Sequence, residues 1–306
     1  LCVAVLRLSG LNLTTHYIHF WLSWDITKTF FSTTMNTNTS VGATTATDVC
    51  SAFAAQHPWT QYYIHGLHSL GAKNTRFVAV APIAATHEKV LSGYASDEVV
   101  RGFVLAETHV AGFPQVAFIR GDCAAVIFDI REEGSDITYT LGVRQMRSAV
   151  GRYNLLETVA GMIDLVRGTF VLPANAVFAN IQKEVLEETG GSLTIDTSTF
   201  INLSEWQHEH RAHMASLRHG DMLTAASPLS PGASDEKVHL FACCVTLPPG
   251  SLRAINGARG GCEKEAENTL VQVLPMSEAI FVFADVKFLA AYSLLQAYKA
   301  HNTKFE

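Results

Sequence analysis

AVFANIQKEVLEETGG, residues 176–191, is the stretch on which the fold turns. At about 100° per residue, Glu184, Glu187 and Glu188 fall within an arc of about 100°, and Phe178, Ile181 and Val185 line an adjoining apolar arc. The spacing predicts a helix over residues 176–189, stopped by Gly190 and Gly191, that packs one side on a core and holds carboxylates at its margin. Like charges four residues apart repel, so a divalent cation is one reason to place Glu184 and Glu188 together. A solvated acidic face is the other reading of three helical glutamates. The setting favours the cation: the helix follows a strand and the glycine turn ETVAGMID, residues 157–164, and ends in a double glycine. Hard oxygen donors of this kind suit Mg²⁺ or Mn²⁺, which on phosphate substrates neutralise oxygen charge and orient water.

Working outward, DCAAVIFDI (122–130) and ITYTLGVRQ (137–145) read as strands around the charged turn REEGSD, and YNLLETVAGMID (153–164) reads as a third. Downstream, KVHLFACCVTL (237–247) and TLVQVLP (269–275) read as strands and VKFLAAYSLLQAYKAHN (286–302) as the last helix. Upstream, residues 49–71 suggest a short helix using Phe53, Trp59, Tyr62 or Tyr63 and Leu67. RFVAVAPIA, VVRGFVLAE and FPQVAFI follow it as short strands. The chain therefore divides into a region at 1–48 expected to be poorly ordered, a small layer at 49–118 and an α/β unit at 119–302. No repeat of solenoid or propeller length is present.

Composition narrows the partners. Twenty-two Lys and Arg against 28 Asp and Glu give a formal charge of −6, which builds no broad cationic surface and argues against a nucleic-acid polymer. Asn12, Thr14, Thr15, His16, His19 and Asp25 interrupt the apolar runs of residues 1–34, so no membrane-spanning helix and no clear signal peptide is expected there. Met35 precedes a low-complexity run; residues 1–34 are read as lying upstream of a natural start or as a targeting or anchoring extension. The six cysteines, at 2, 50, 123, 243, 244 and 262, form no C-x-x-C pair and are read as reduced structural thiols. A cytoplasmic location is expected, with organelle targeting by the extension as the alternative.

KEVLEETG, residues 183–190, resembles the second half of the Nudix hydrolase signature, G-x5-E-x7-R-E-U-x-E-E-x-G-U, with Lys183 in place of arginine. The first half departs further. Asn175 stands where the leading glutamate belongs, an insertion of about eight residues separates it from Gly161, and Gly191 replaces the aliphatic end. VAGMID (159–164), VRQMR (143–147), SPGASDEKVHLF (230–241) and AFIRGDCAAVIFDI (from Ala117) resemble the nucleoside-diphosphate-sugar branch of that family, which includes ADP-ribose and ADP-sugar diphosphatases.

The resemblance implies a Nudix α/β/α sandwich with a mixed sheet, preceded by a small β-rich dimerisation layer. It makes Glu184, Glu187, Glu188 and Glu267 metal-side carboxylates, with Ala160 contributing its main-chain carbonyl. Lys183 falls at the position that orients them, where a point charge replaces arginine's fork. Glu188, Glu267, Glu265 and Glu236 are the candidate catalytic carboxylates, and Arg144 and Arg147 the candidate ligands of the diphosphate. The implied reaction is Mg²⁺- or Mn²⁺-dependent hydrolysis of an ADP-sugar, ADP-ribose first, to AMP and sugar phosphate, by a homodimer. A UDP-sugar diphosphatase is the nearest alternative, and a non-hydrolytic nucleotide-sugar-binding protein the alternative of another class. Phe113, Phe118 and Trp206 are read as core packing, and His208, His210 and His213 of WQHEHRAH as loop histidines without zinc spacing. GARGG (257–261) lacks the Lys-Ser/Thr ending of a P-loop.

Overall fold

Pro58 divides the first apolar stretch in two. The sequence suggests one helix; the structure, a computed structural model, has α1 (Ala46–Gln56) and α2 (Pro58–Ser69). Proline at the first position of α2 gives up an N–H that no helical bond needs, and its ring blocks continuation of α1. Residues 46–302 are described, apart from 70, 83–86, 96–97, 99, 111, 215–224 and 263–266. The expectation of poor order up to residue 48 otherwise lies outside the described residues.

β1 (Lys73–Pro82), α3 (His87–Ser92), β2 (Gly102–Val110) and β3 (Phe113–Ile119) complete this layer, and its strands pair antiparallel in the order β1-β2-β3. Burial alternates along most of β2, with Val104, Ala106 and Thr108 inward, as a strand with one covered face requires. The covering residues include Phe53 and Trp59, and the Trp59 indole N–H donates to the Ile163 carbonyl at 3.0 Å. A Cβ on Gly121 would stand 2.3 Å from the same ring, so glycine lets the chain pass the indole at the start of the larger sheet.

That sheet has nine strands. Along the chain come β4 (Cys123–Glu132), β5 (Thr138–Arg147), β6 (Arg152–Glu157), β7 (Val159–Met162), α4 (Ala174–Glu188), β8 (Phe200–Asn202), α5 (Leu203–Met214) and β9 (Ser227–Pro228). β10 (Lys237–Leu247), α6 (Ser251–Ile255), β11 (Arg259–Gly260), β12 (Thr269–Pro275), α7 (Met276–Val282) and α8 (Val286–Asn302) follow. The order is β11-β12-β5-β4-β10-β8, with β6 beside β5, β7 beside β4 and β9 beside β10. β4 and β10 are parallel from Val238 opposite Cys123 to Leu247 opposite Glu132, and the other pairs are antiparallel, so the sheet is mixed.

Residues 123–130 of β4 are all buried, because helices cover both faces of the sheet. Val126 and Phe128 share a core with Val177, Ile181 and Val185 of α4 and with the layer of residues 46–119. Ala125 and Ile127 face Leu203, Phe288, Ala291 and Leu295 from α5 and α8. The α/β class and the mixed sheet read from the sequence are those observed.

Three readings change. The single strand over 153–164 is two, β6 on β5 and β7 on β4, broken at Thr158, whose hydroxyl donates to the Val126 carbonyl at 2.9 Å and whose N–H donates to the Asp285 carboxylate at 3.1 Å. β4 and β5 meet only at Ile130–Tyr139 and Arg131–Thr138 and then part, leaving the wedge that β6 and β7 occupy. WQHEHRAH is helical, within α5, and not a loop; Trp206 packs there edge-on to Tyr298 of α8. Phe113 and Phe118 are 69% and 40% exposed, so they are not core residues of this chain. Cys243 and Cys244 lie in β10 as expected, and the five described cysteines carry free thiols. No helix among the described residues is long and apolar enough to cross a membrane.

Candidate active site

The carboxylates of α4 are delivered to the wedge by the helix's own packing. Val177, Ile181 and Val185 bury one side, each worth about 1.5–3 kcal/mol when fully covered, and this fixes the rotation that turns Glu184 and Glu188 toward β7. Glu188 is 1% exposed, and its Oε2 accepts the Ala160 N–H at 3.1 Å. The Glu184 carboxyl lies against Gly161, where a Cβ would come within 1.9 Å of its Cδ. Asn180, one turn earlier, donates to the Gly161 carbonyl at 3.2 Å. The C-terminal end of α4 is fixed as closely: the Glu188 carbonyl accepts the Thr269 hydroxyl at 2.7 Å and the Glu187 carbonyl the Gly261 N–H at 2.8 Å. A Cβ at Gly190 would meet the Arg259 carbonyl at 2.0 Å, which together with its positive φ explains the glycine that ends the helix.

Burial holds Glu188 well above the usual carboxylate range, and the negative charges of Glu267 and Glu184 raise it further; the Ala160 N–H and Arg147 oppose them. Three acidic groups thus act on one another at the foot of a cavity of about 300 Å³. Its wall includes Glu184, Glu236, Glu267, Lys183, Arg147 and Ala160. Lys183 straddles two carboxylates, 3.6 Å from Glu184 Oε1 and 3.4 Å from Glu187 Oε2, so it serves as a shared charge without a close hydrogen bond. Glu187 is bound to Lys183 off the cavity wall, and Glu188 lies behind it.

Arg147 lines the cavity while paired to Glu157 at 2.6 Å. Arg144 does not reach it: its guanidinium is taken by the Gln272 side chain and, at 3.1 Å, by the Asn154 carbonyl. Asn175 is exposed in the first turn of α4, away from the carboxylates. Glu265 lies outside the described residues.

Arg120 is one of the cavity residues that the sequence reading missed. It sits 3.3 Å from Glu236 Oε2, over the Phe103 ring at 5.7 Å, and with its Nε buried and unpartnered. Its neighbours hold it there: Asp235 accepts the N–H groups of Arg120 at 2.9 Å and Gly121 at 3.3 Å, closing the loop of residues 230–236 onto the start of β4. The only sequence signal was its place beside Gly121 in the segment from Ala117. Lys287, and Arg101 paired with Asp164 at 2.6 Å, complete the cationic part of the wall.

Among the described residues no three acidic, histidine or cysteine side chains form a finished metal cluster. The donor chemistry nevertheless fits a hard cation: Glu184, Glu188 and Glu267 are oxygen donors whose mutual repulsion a divalent ion would relieve. No family model and no curated protein matches the chain.

Proposed function

We propose that the chain is a Nudix-type hydrolase that cleaves the pyrophosphate bond of ADP-sugars, ADP-ribose first, to AMP and sugar phosphate. The observation that carries this reading is the convergence of Glu184, Glu188 and Glu267 at a cavity whose lining also bears Arg120, Arg147 and Lys287. Carboxylates and guanidinium groups lining one cleft suit a diphosphate, whose charge needs cations and whose attacking water needs a base.

Bound at Glu184, Glu188, Glu267 and the Ala160 carbonyl, Mg²⁺ or Mn²⁺ would supply charge neutralisation and a polarised water. Arg147 and Arg120 bind non-bridging diphosphate oxygens, each already steered by a carboxylate, Glu157 and Glu236, that limits how its fork swings. Water attacks phosphorus, its proton passes to a carboxylate, Glu267 or Glu236 among the described residues, and the bridging P–O bond breaks. Val116 and Phe118, exposed on the outward face of edge strand β3, supply the apolar contact for a homodimer.

The test is an assay of purified protein with ADP-ribose, ADP-glucose, UDP-glucose and NADH, with and without Mg²⁺. Metal-dependent release of AMP from ADP-ribose is expected. Preference for UDP-glucose moves the assignment to the UDP-sugar class. Binding of ADP-ribose without turnover at saturating metal rejects the enzyme in favour of a nucleotide-sugar-binding protein.

A further inference from the structure

Far from the cavity, α5 and α8 bring two imidazoles together: His210 Nε2 and His301 Nε2 are 3.2 Å apart. The tautomer of His210 follows from its other nitrogen. Nδ1 lies 2.7 Å from the Trp206 carbonyl, which can only accept, so Nδ1 carries the proton and the neutral ring presents a bare lone pair at Nε2. A histidine whose Nδ1–H is spent on a backbone carbonyl is arranged as metal-ligating histidines are, with orientation and tautomer fixed by the group behind it. The two rings are nearly perpendicular, with centroids 4.6 Å apart. Those centroids are closer than a head-on hydrogen bond between the two nitrogens would put them, so the nitrogens meet at an angle.

We propose that His210 and His301 form a two-imidazole site for a borderline divalent ion of the zinc class. Two nitrogens at the usual Zn–N length of 2.0–2.1 Å and a tetrahedral angle stand about 3.3 Å apart, close to the separation already present. Water fills the remaining positions. Binding moves the His301 ring proton from Nε2 to Nδ1, with no net proton change for two neutral rings. Trp206 packs against His210 with centroids 4.5 Å apart and stands edge-on to His301 at 6.1 Å, so it flanks both ligands. Imidazole suits Zn²⁺, Cu²⁺ and Ni²⁺, whereas Mg²⁺ takes oxygen, so this site and the carboxylate cavity select different ions. An ion here would clip α5 to α8, the helix that Lys299 also anchors to β4 through Asp129.

The experiment uses the full chain, stripped with chelator and then saturated with Mg²⁺, titrated with Zn²⁺ alone. One saturable ion per chain is expected, with a rise in Tm. His210→Ala and His301→Ala should each weaken binding about tenfold or more and remove the thermal shift, while His208→Ala leaves both unchanged. Cu²⁺ on the wild-type chain should give an electron paramagnetic resonance spectrum split by two imidazole nitrogens. Zn²⁺ binding that survives both alanine variants overturns the proposal. So does a wild-type Cu²⁺ spectrum without the two-nitrogen splitting, a result that does not depend on any variant folding.

Discussion

Glu188 is the more deeply buried of the two α4 carboxyls beside the cavity. Its carboxyl titrates above the usual range in the folded chain, so it holds its proton more tightly there than when unfolded. The associated stability is therefore full below the unfolded value, near pH 4.5, and is lost as pH rises through the folded one. Glu188→Gln keeps a neutral group of the same shape. The metal-free variant should melt higher than wild type near pH 7.5, the gap closing toward pH 4, while its Mg²⁺-supported rate falls by about 10² or more. Melting curves across pH with parallel initial rates check this; an unchanged rate would remove the metal site from this helix. Gly161 makes a sharper demand. Because a Cβ would occupy the place of the Glu184 carboxyl, Gly161→Ala should raise the Mg²⁺ concentration at half-maximal rate severalfold while circular dichroism stays native.

At the level of the element, α4 starts without help. Pro173 caps it with no side-chain hydrogen bond, and its first turn has no acidic residue. Asn175→Glu puts a carboxylate where the Nudix signature has one, at an exposed site that does not face the cavity, so it should add about 0.3–1 kcal/mol through the helix dipole and leave the initial rate unchanged. A clear gain in rate would mean that residue 175 reaches the ions. The same helix shows what was legible beforehand. That Glu184 and Glu188 share one side of the helix followed from spacing, because helical geometry is local; β10 and β12 followed from short, mostly apolar runs between turn residues. The break at Thr158 was not legible, since its partners are Val126 and Asp285, distant in sequence. Nor was α5, a polar segment whose Trp206 finds its apolar cover on α8. Arg144 and Arg147 were assigned together, yet they lie an odd number of positions apart on β5 and part company. Arg120 was passed over because a cation–carboxylate pair with Glu236 exists only after two loops meet.

For the whole molecule, the exposed apolar residues of β3 set the expected assembly. Val116 and Phe118 point outward from β3 and, with the exposed Phe113 at its start, leave apolar surface that a second copy can cover. Light scattering across a dilution series should give twice the chain mass, and Val116→Glu should shift the balance to monomer. A wild-type monomer with full turnover would reject a dimer-dependent site.

The parallel ladder between β4 and β10 also dictates an order of events during synthesis. β4 emerges early, buried on both faces in the finished sheet, yet its parallel neighbour begins only at Lys237. Until the intervening chain is made, an apolar strand has one edge and much of one face without cover. Closing a loop of that length also slows folding. The nascent protein is therefore most vulnerable to aggregation midway through translation, and a chain ending before residue 237 should be recovered insoluble unless a chaperone holds it.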